Sequence, residues 1–238
     1  MVYKDADRCI KLFDDVYKKS NILNEALNQV RVEETGLKMA KLRSVEVIDG
    51  KWAIVSDYIP GKTLKQLMEE NPDKIDEYLE MFVNIQIEIS SKTAPLLTKL
   101  KDKMDSKIEL SDLDATVRYD LHSQLNAMPK HNKVCHGDFV PSNIIINEDD
   151  NFKPYIVDWS HATQGNASAD VARTYMLFCL HESKELAEKY LNLFCKKTDT
   201  AKQYVQKWMP LVAASQLVKG NEKEKELLYH WIDVVEYF

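Results

Sequence analysis

Residues 136–143 read His136-Gly137-Asp138-Phe139-Val140-Pro141-Ser142-Asn143. A loop with a histidine, an aspartate and an asparagine at this spacing can serve phosphoryl transfer to a hydroxyl group. The aspartate carboxylate orients the hydroxyl and accepts its proton. The asparagine, a few residues later, offers a neutral amide oxygen to a Mg²⁺ ion that grips the phosphates. Such a site needs a second carboxylate for the metal, and Asp158 stands twenty residues after Asp138, at the end of the apolar run Tyr155-Ile156-Val157. Taken singly, an aspartate before or after an apolar run reads as a turn or a cap. The chemistry is carried by the order: the loop, the run Ile144-Ile145-Ile146, a second run closed by Asp158, then a helix opening with Asp170-Val171-Ala172-Arg173.

Other patterns carry less. Gly61-Lys62-Thr63 has the ending of a phosphate-binding loop, but Ser56 stands where the first glycine is required. His131, Cys135 and His136 have no fourth ligand at zinc spacing. Tyr175, Tyr204, Trp208, Tyr229 and Trp231 recur at helical spacing and read as core before they read as a pocket. Glu182, Asp233 and Glu236 could attract a cationic substrate, but each fits a solvated helix face better.

The elements that must position the loop follow from hydrophobic period. Residues 8–13 alternate as a short strand, and Leu23, Ala26, Leu27 and Val30 mark a helix over about 20–34, closed by Gly36. Strands are expected near 43–49 and 51–58, joined at Asp49-Gly50, a strong hairpin signal. Pro60-Gly61 breaks the chain. Thr63 with Gln66 then forms a capping box for a helix over 64–70. Further helices are expected over 73–92, 110–126, 168–181, 183–197, 199–219 and 223–236, the one at 168 capped by Ser168. This predicts an α+β chain with a small mixed lobe over 1–59 and a large helical lobe over 60–238.

Composition narrows the class. The chain has 238 residues, 45% apolar and 29% charged, which excludes collagen-like and disordered classes. Six glycines and seven prolines are about half the usual share and favour helices over many tight turns. A net charge of −6 argues against nucleic acid as a partner. No run approaches the roughly 18 apolar residues of a membrane span. Cys9, Cys135, Cys179 and Cys195 are widely spaced, which reads as reduced thiols and a cytoplasmic location.

The segments HGDFVPSNIII, YIVDWSHATQGN and ADVARTYMLF closely resemble the aminoglycoside phosphotransferase and choline kinase-like family, a branch of the protein-kinase-like fold. The match is best over 133–180 and extends loosely over almost the whole chain. The resemblance implies a two-lobed kinase-like fold and an enzyme that moves the γ-phosphoryl group of ATP or GTP, with Mg²⁺, to a hydroxyl of an aminoglycoside-, choline- or sugar-like acceptor. It implies Asp138 as catalytic base, Asn143 and Asp158 as metal ligands, His136 as a brace of the loop, and Asp170 as the anchor of the helix near it. Cys9-Ile10-Lys11 resembles the strand whose lysine meets the nucleotide phosphates, with Glu25 as its ion-pair partner ahead of Glu33 and Glu34, which lie further along and fit less well. Ser56-Asp57-Tyr58-Ile59-Pro60-Gly61 resembles the hinge, where backbone groups of Ser56 and Tyr58 would meet the adenine. The absence of an A-P-E segment and of a long activation loop disfavours a protein kinase.

The chain departs from this family at its start. The family's small lobe begins with two strands and a glycine-bearing loop over the phosphates, and this chain begins at about the second strand. The expectation is weak ATP binding in the chain as given, and a coding region reaching about 20–25 residues upstream, the length of two strands and a loop. An open strand edge there would leave the protein a monomer or a homodimer through the small lobes. The rival from another class is a non-catalytic nucleotide-binding or scaffold protein of the same fold.

Overall fold

The computed structural model describes residues 1–233, apart from the side chain of Asp233. Asp233 as a side chain, Glu236, and the expected helical residues 234–236 lie outside the described residues. The chain divides into two compact units. One joins residues 1–85 to 138–162; the other joins 86–137 to the residues from 163 onward.

The first unit opens on an antiparallel sheet. Its strands are β1 (Val2–Asp5), β2 (Arg8–Leu12), β3 (Leu42–Ile48) and β4 (Lys51–Asp57), in the order β1-β2-β4-β3. The sequence pattern shows β2, β3 and β4 but not β1, whose four residues are all exposed and carry no burial alternation. Asp49 and Gly50 both have positive φ, and Ile48 pairs with Lys51, so they form the two-residue turn that matches strand twist. Helix α1 (Lys19–Glu33) buries Ile22 and Ala26 against Phe13 and Ile54, with Leu42, Val45 and Trp52 around them.

The chain then turns at Gly61, whose φ is +134°. A Cβ there would lie 2.0 Å from the carbonyl oxygen of Ile146, so only glycine fits. Strand β5 (Lys62–Thr63) follows, and α2 (Leu64–Glu70) starts with the capping box of Thr63 and Gln66. Pro72–Lys74 make one 3₁₀ turn before α3 (Ile75–Ser91), within which the boundary between the units falls.

The second unit holds α4 (Leu100–Glu109), α5 (Ala115–Ala127) and β6 (Lys133–Cys135). Helix α4 is absent from the sequence reading, although Leu100, Met104 and Ile108 recur every fourth residue; only three apolar residues mark it. Helix α5 begins at Ala115, not near 110, because Asp114 caps it by accepting the Thr116 N–H.

Strands β7 (Ile144–Asn147) and β8 (Lys153–Ile156) complete the first unit, in a sheet ordered β5-β7-β8. Asp150, in the turn between them, accepts from Lys153 at 2.7 Å, Tyr155 at 3.0 Å and Lys38 at 3.1 Å. These partners, Lys153 first, hold its carboxyl down at about 2. The folded value lies below the unfolded value of about 4, so the stabilisation is complete above that pH and is lost as pH falls through the folded value. Asp150→Asn is therefore expected to lessen the drop in melting temperature between pH 4 and pH 2. Identical acid slopes in melting curves of both proteins would show that the cluster contributes nothing.

The second unit continues with β9 (Thr163–Gly165), paired with β6, and with helices α6 (Ala167–His181), α7 (Lys184–Thr198), α8 (Lys202–Gln206), α9 (Met209–Leu217) and α10 (Lys225–Asp233). Asn166, not Ser168, caps α6: its backbone is extended and its Oδ1 accepts the Ser168 N–H at 2.9 Å. The single helix expected over 199–219 is two, because Pro210 clashes with helix continuing before it but suits the first turn of α9. Helix α9 is buried along its whole length and packs on α6, α10 and α4. Trp208 is fully buried, as is Tyr190, whose hydroxyl donates to Gln86. Among the described residues no helix is long and apolar enough to cross a membrane.

Candidate active site

The hairpin of β7 and β8 fixes two of the sequence-predicted residues. Ile144 pairs with Ile156, and one step outward the carbonyl of Asn143 accepts the Val157 N–H at 3.0 Å. Asp158 is the next residue, so the ladder places Asp158 one step past the residue opposite Asn143. Asp158 lies in the left-handed region at φ 61°, and its carboxylate accepts the Ser160 N–H at 3.4 Å, capping the turn Trp159–His161. This conformation suits an aspartate and turns the chain sharply after the strand.

Asp138 comes to the same hairpin through its loop. The side-chain nitrogen of Asn143 donates to the Asp138 carbonyl at 2.8 Å and to its Oδ2 at 3.2 Å. With its nitrogen on the loop, the Asn143 amide turns its oxygen to other partners. Phe139 is fully buried and stacks on Phe82 of α3, with ring centroids 4.3 Å apart. That anchor fixes the residue beside Asp138 by apolar packing.

Lys11 reaches the site from β2. Its ammonium lies 2.6 Å from Glu25 Oε1 on α1 and 3.9 Å from Asp158 Oδ1. Burial works to lower the Lys11 pKa, but Asp158 and Glu25 outweigh it and the net shift is upward. Burial raises Glu25 more than Lys11 lowers it. Helix α1 is tied to the turn after Asp158 as well, since the buried Asn28 donates to the Ser160 carbonyl at 3.3 Å. The sequence reading missed Asn28; it stands three residues after Glu25, one turn along the same face.

Ser56 and Tyr58 lie at the end of β4. Ser56 pairs with Cys9, two residues before Lys11, on one side and with Leu42 on the other. The Tyr58 N–H donates to the Asp7 carbonyl at 2.9 Å, and Arg43 clamps the same turn by bonding Asp7 and Asp57. The hinge donor at Tyr58 is thus engaged by the chain's own backbone. The next amide, Ile59, has no backbone acceptor among the described residues.

The second unit holds the residues before Asp138. Asp170 on α6 is buried and accepts the N–H groups of His136 at 3.0 Å and Gly137 at 2.7 Å. Burial raises its pKa against these bonds. Arg173, three residues on, donates through Nε to the Gly137 carbonyl. Gly137 has φ 77°, a conformation in which a side chain costs about 1–2 kcal/mol.

The oxygen donors suit Mg²⁺. Asn143 and Asp158 supply one amide oxygen and one carboxylate, both hard ligands. Among the described residues no group of three or more histidine, cysteine or acidic side chains could hold a metal by itself. An ion held here would complete its shell with phosphate oxygens and water, the usual habit of Mg²⁺.

Comparison with known proteins accords with this fold. No curated relative matches the chain by sequence. Among solved structures, the chain is similar in fold to a thermostable mutant of aminoglycoside phosphotransferase APH(4)-Ia in a ternary complex with AMP-PNP and hygromycin B. The two share 14% identity over 99% of this chain and 92% of that one, with a TM-score of 0.68. Aminoglycoside-3'-phosphotransferase of type VIII gives 14% identity, coverage of 87% and 84%, and a TM-score of 0.63. The enzyme APH(3'')-Id from Streptomyces rimosus, in complex with ADP and streptomycin, gives 11%, 89% and 90%, and 0.59. The profile of the phosphotransferase enzyme family matches residues 41–205, well over half of the sequence and the stretch that contains Asp138, Asn143 and Asp158. With a kinase-like α+β fold and this match, the chain belongs to the phosphotransferase enzyme family.

Proposed function

We infer that the protein moves the γ-phosphoryl group of ATP or GTP to a hydroxyl group of a small molecule, with an aminoglycoside-, choline- or sugar-like acceptor. The observation that carries this reading is the joining of two clusters by one hairpin: Glu25–Lys11–Asp158 and Asp138–Asn143. The family match and the ligands of the similar structures support it: one holds AMP-PNP with hygromycin B, another ADP with streptomycin.

Each residue then has one task. Asp138 orients the acceptor hydroxyl and takes its proton as the oxygen attacks the γ-phosphorus; the bond to the β-phosphate oxygen breaks and the nucleoside diphosphate leaves. Lys11, held by Glu25, bonds the phosphates. Asn143 and Asp158 hold Mg²⁺, which when bound neutralises charge on the phosphates. The base lies against the hinge of Ser56 and Tyr58. The nucleotide-binding lobe by this reading is residues 1–59, with catalysis in 60–238.

The test is a phosphorylation screen of metabolites and antibiotics with ATP and with GTP, followed by release of the nucleoside diphosphate. Transfer to a hydroxyl compound, abolished by Lys11→Met, is the expected result. Nucleotide binding without transfer to any acceptor would favour a scaffold.

A further inference from the structure

We propose that Glu224 and Gln216 are positioning residues for the catalytic loop, acting through Arg173 on the peptide that joins Gly137 to Asp138. The proposal rests on the role assigned above to Asp138.

The argument starts at Gly137. Two side chains one turn apart on α6 grip both of its polar groups: Asp170 takes the N–H and Arg173 bonds the carbonyl. That carbonyl belongs to the peptide whose next residue is Asp138, so the aim of the Arg173 guanidinium sets the plane from which the Asp138 side chain departs. A guanidinium is a planar fork, and a second bond fixes its rotation. Arg173 Nη1 makes that bond to Gln216 Oε1 on α9, at 3.2 Å.

Gln216 is buried, and its amide is polarised from the far side. Its nitrogen donates to Glu224 Oε2 at 2.8 Å. Glu224 is also buried, at the start of α10, and its other oxygen accepts from the Asn221 side chain at 2.6 Å; His181 Nε2 lies 3.8 Å from that oxygen. Two donors therefore converge on a group whose oxygens only accept. This direction runs through the whole chain of bonds: Glu224 accepts from Gln216, which turns the Gln216 oxygen to Arg173, which turns the guanidinium to Gly137.

An amide at position 224 breaks the pattern at one atom. Its nitrogen would face the donor of either Gln216 or Asn221. Relief by flipping Gln216 would then present a donor to Arg173, which has no acceptor to offer. Buried polar networks are costly when half satisfied, and an apolar filling of this space would stabilise the core more simply. The retained network reaches the carbonyl before Asp138 through Arg173.

The test compares Glu224→Gln, Gln216→Leu and the double exchange Gln216→Glu with Glu224→Gln, each checked for folding by its melting curve. The double exchange moves the carboxylate one place along the chain and restores every donor–acceptor match. For Glu224→Gln the expected result is a kcat about tenfold lower with both KM values within about twofold, since transfer and not binding is disturbed. Amide exchange of the Gly137–Asp138 segment is expected to quicken, and the double exchange to recover most of both losses. The exposed Glu222→Gln, which removes an ion pair with Lys225, is the control and leaves both unchanged. A folded Glu224→Gln protein with wild-type kcat and wild-type amide exchange overturns the proposal, as does a rise in KM alone. Asp138→Asn is assayed beside them. If that variant is fully active the reading of Asp138 falls, while amide exchange still judges the chain of bonds from Glu224 to Gly137. If it is inactive while Glu224→Gln keeps full kcat, only the positioning role fails.

Discussion

Asp138→Asn is expected to lower phosphoryl transfer by about a thousandfold while leaving the fold in place, the middle of the range for loss of a positioned general base. The side chains are nearly isosteric. The amide oxygen of the variant can still accept from Asn143, as Asp138 Oδ2 does at 3.2 Å. Phe139 keeps its stack on Phe82, and the Asn143 bond to the backbone carbonyl of residue 138 does not involve the side chain. What is lost is the only part a carboxylate alone provides: a place for the hydroxyl proton and a negative charge beside it. The measurement is turnover of the identified acceptor, with a melting curve to show that the variant is folded. Nucleotide affinity should stay within a few-fold, because phosphate contacts fall to Lys11 and the metal ligands in this reading. Unchanged turnover would remove Asp138 from the chemistry, and with it the phosphotransferase mechanism assigned to this loop.

The sequence makes the site more legible than the scaffold around it, for a physical reason. Asp138, Asn143 and Asp158 lie within one loop and one hairpin, so their mutual placement follows from local spacing and a short ladder. Lys11 and Glu25 are fourteen residues apart, and their meeting at 2.6 Å was legible only through a family resemblance, since nothing local brings a strand lysine to a helix glutamate. Arg173 enters the sequence reading only as part of a helix opening; its bond to Gly137, and Gln216 behind it, have no local signal. An arginine and a glutamine on apolar helices look like surface residues until the tertiary fold closes over them.

The elements show the same contrast. The capping box at Thr63 and the turn at Asp49-Gly50 are local chemistry and were readable. Strand β1 exists because β2 offers it a hydrogen-bonded edge, in the register Val2 to Lys11. Its own residues carry no alternating pattern. Strands β6 and β9, three residues each, are held by pairing with each other and are too short to show a period.

The second large effect is expected at Asp158, and the choice of substitution matters. Asp158 has φ 61°, where alanine costs about 1–2 kcal/mol, whereas asparagine tolerates this conformation. Asparagine also keeps an oxygen for the Ser160 N–H, so the turn Trp159–His161 stays capped. Asp158→Asn therefore isolates the charge. That charge lies 3.9 Å from Lys11, where it works with Glu25 to hold the lysine protonated, and it follows directly on Val157, whose N–H bonds the Asn143 carbonyl. Removing it leaves Lys11 still paired with Glu25 at 2.6 Å, so affinity for nucleotide measured in chelator should change little or rise slightly. The gain in affinity on adding Mg²⁺ should largely disappear, by about 100-fold, which corresponds to about 2.7 kcal/mol. Calorimetric titration of nucleotide into both proteins, with Mg²⁺ and with chelator, separates the two terms. If Asp158→Asn retains the full Mg²⁺-dependent gain, the metal is held elsewhere. Asp158 would then serve Lys11 and not the metal, and the transfer rate should follow the lysine's charge across the alkaline range instead of the metal concentration.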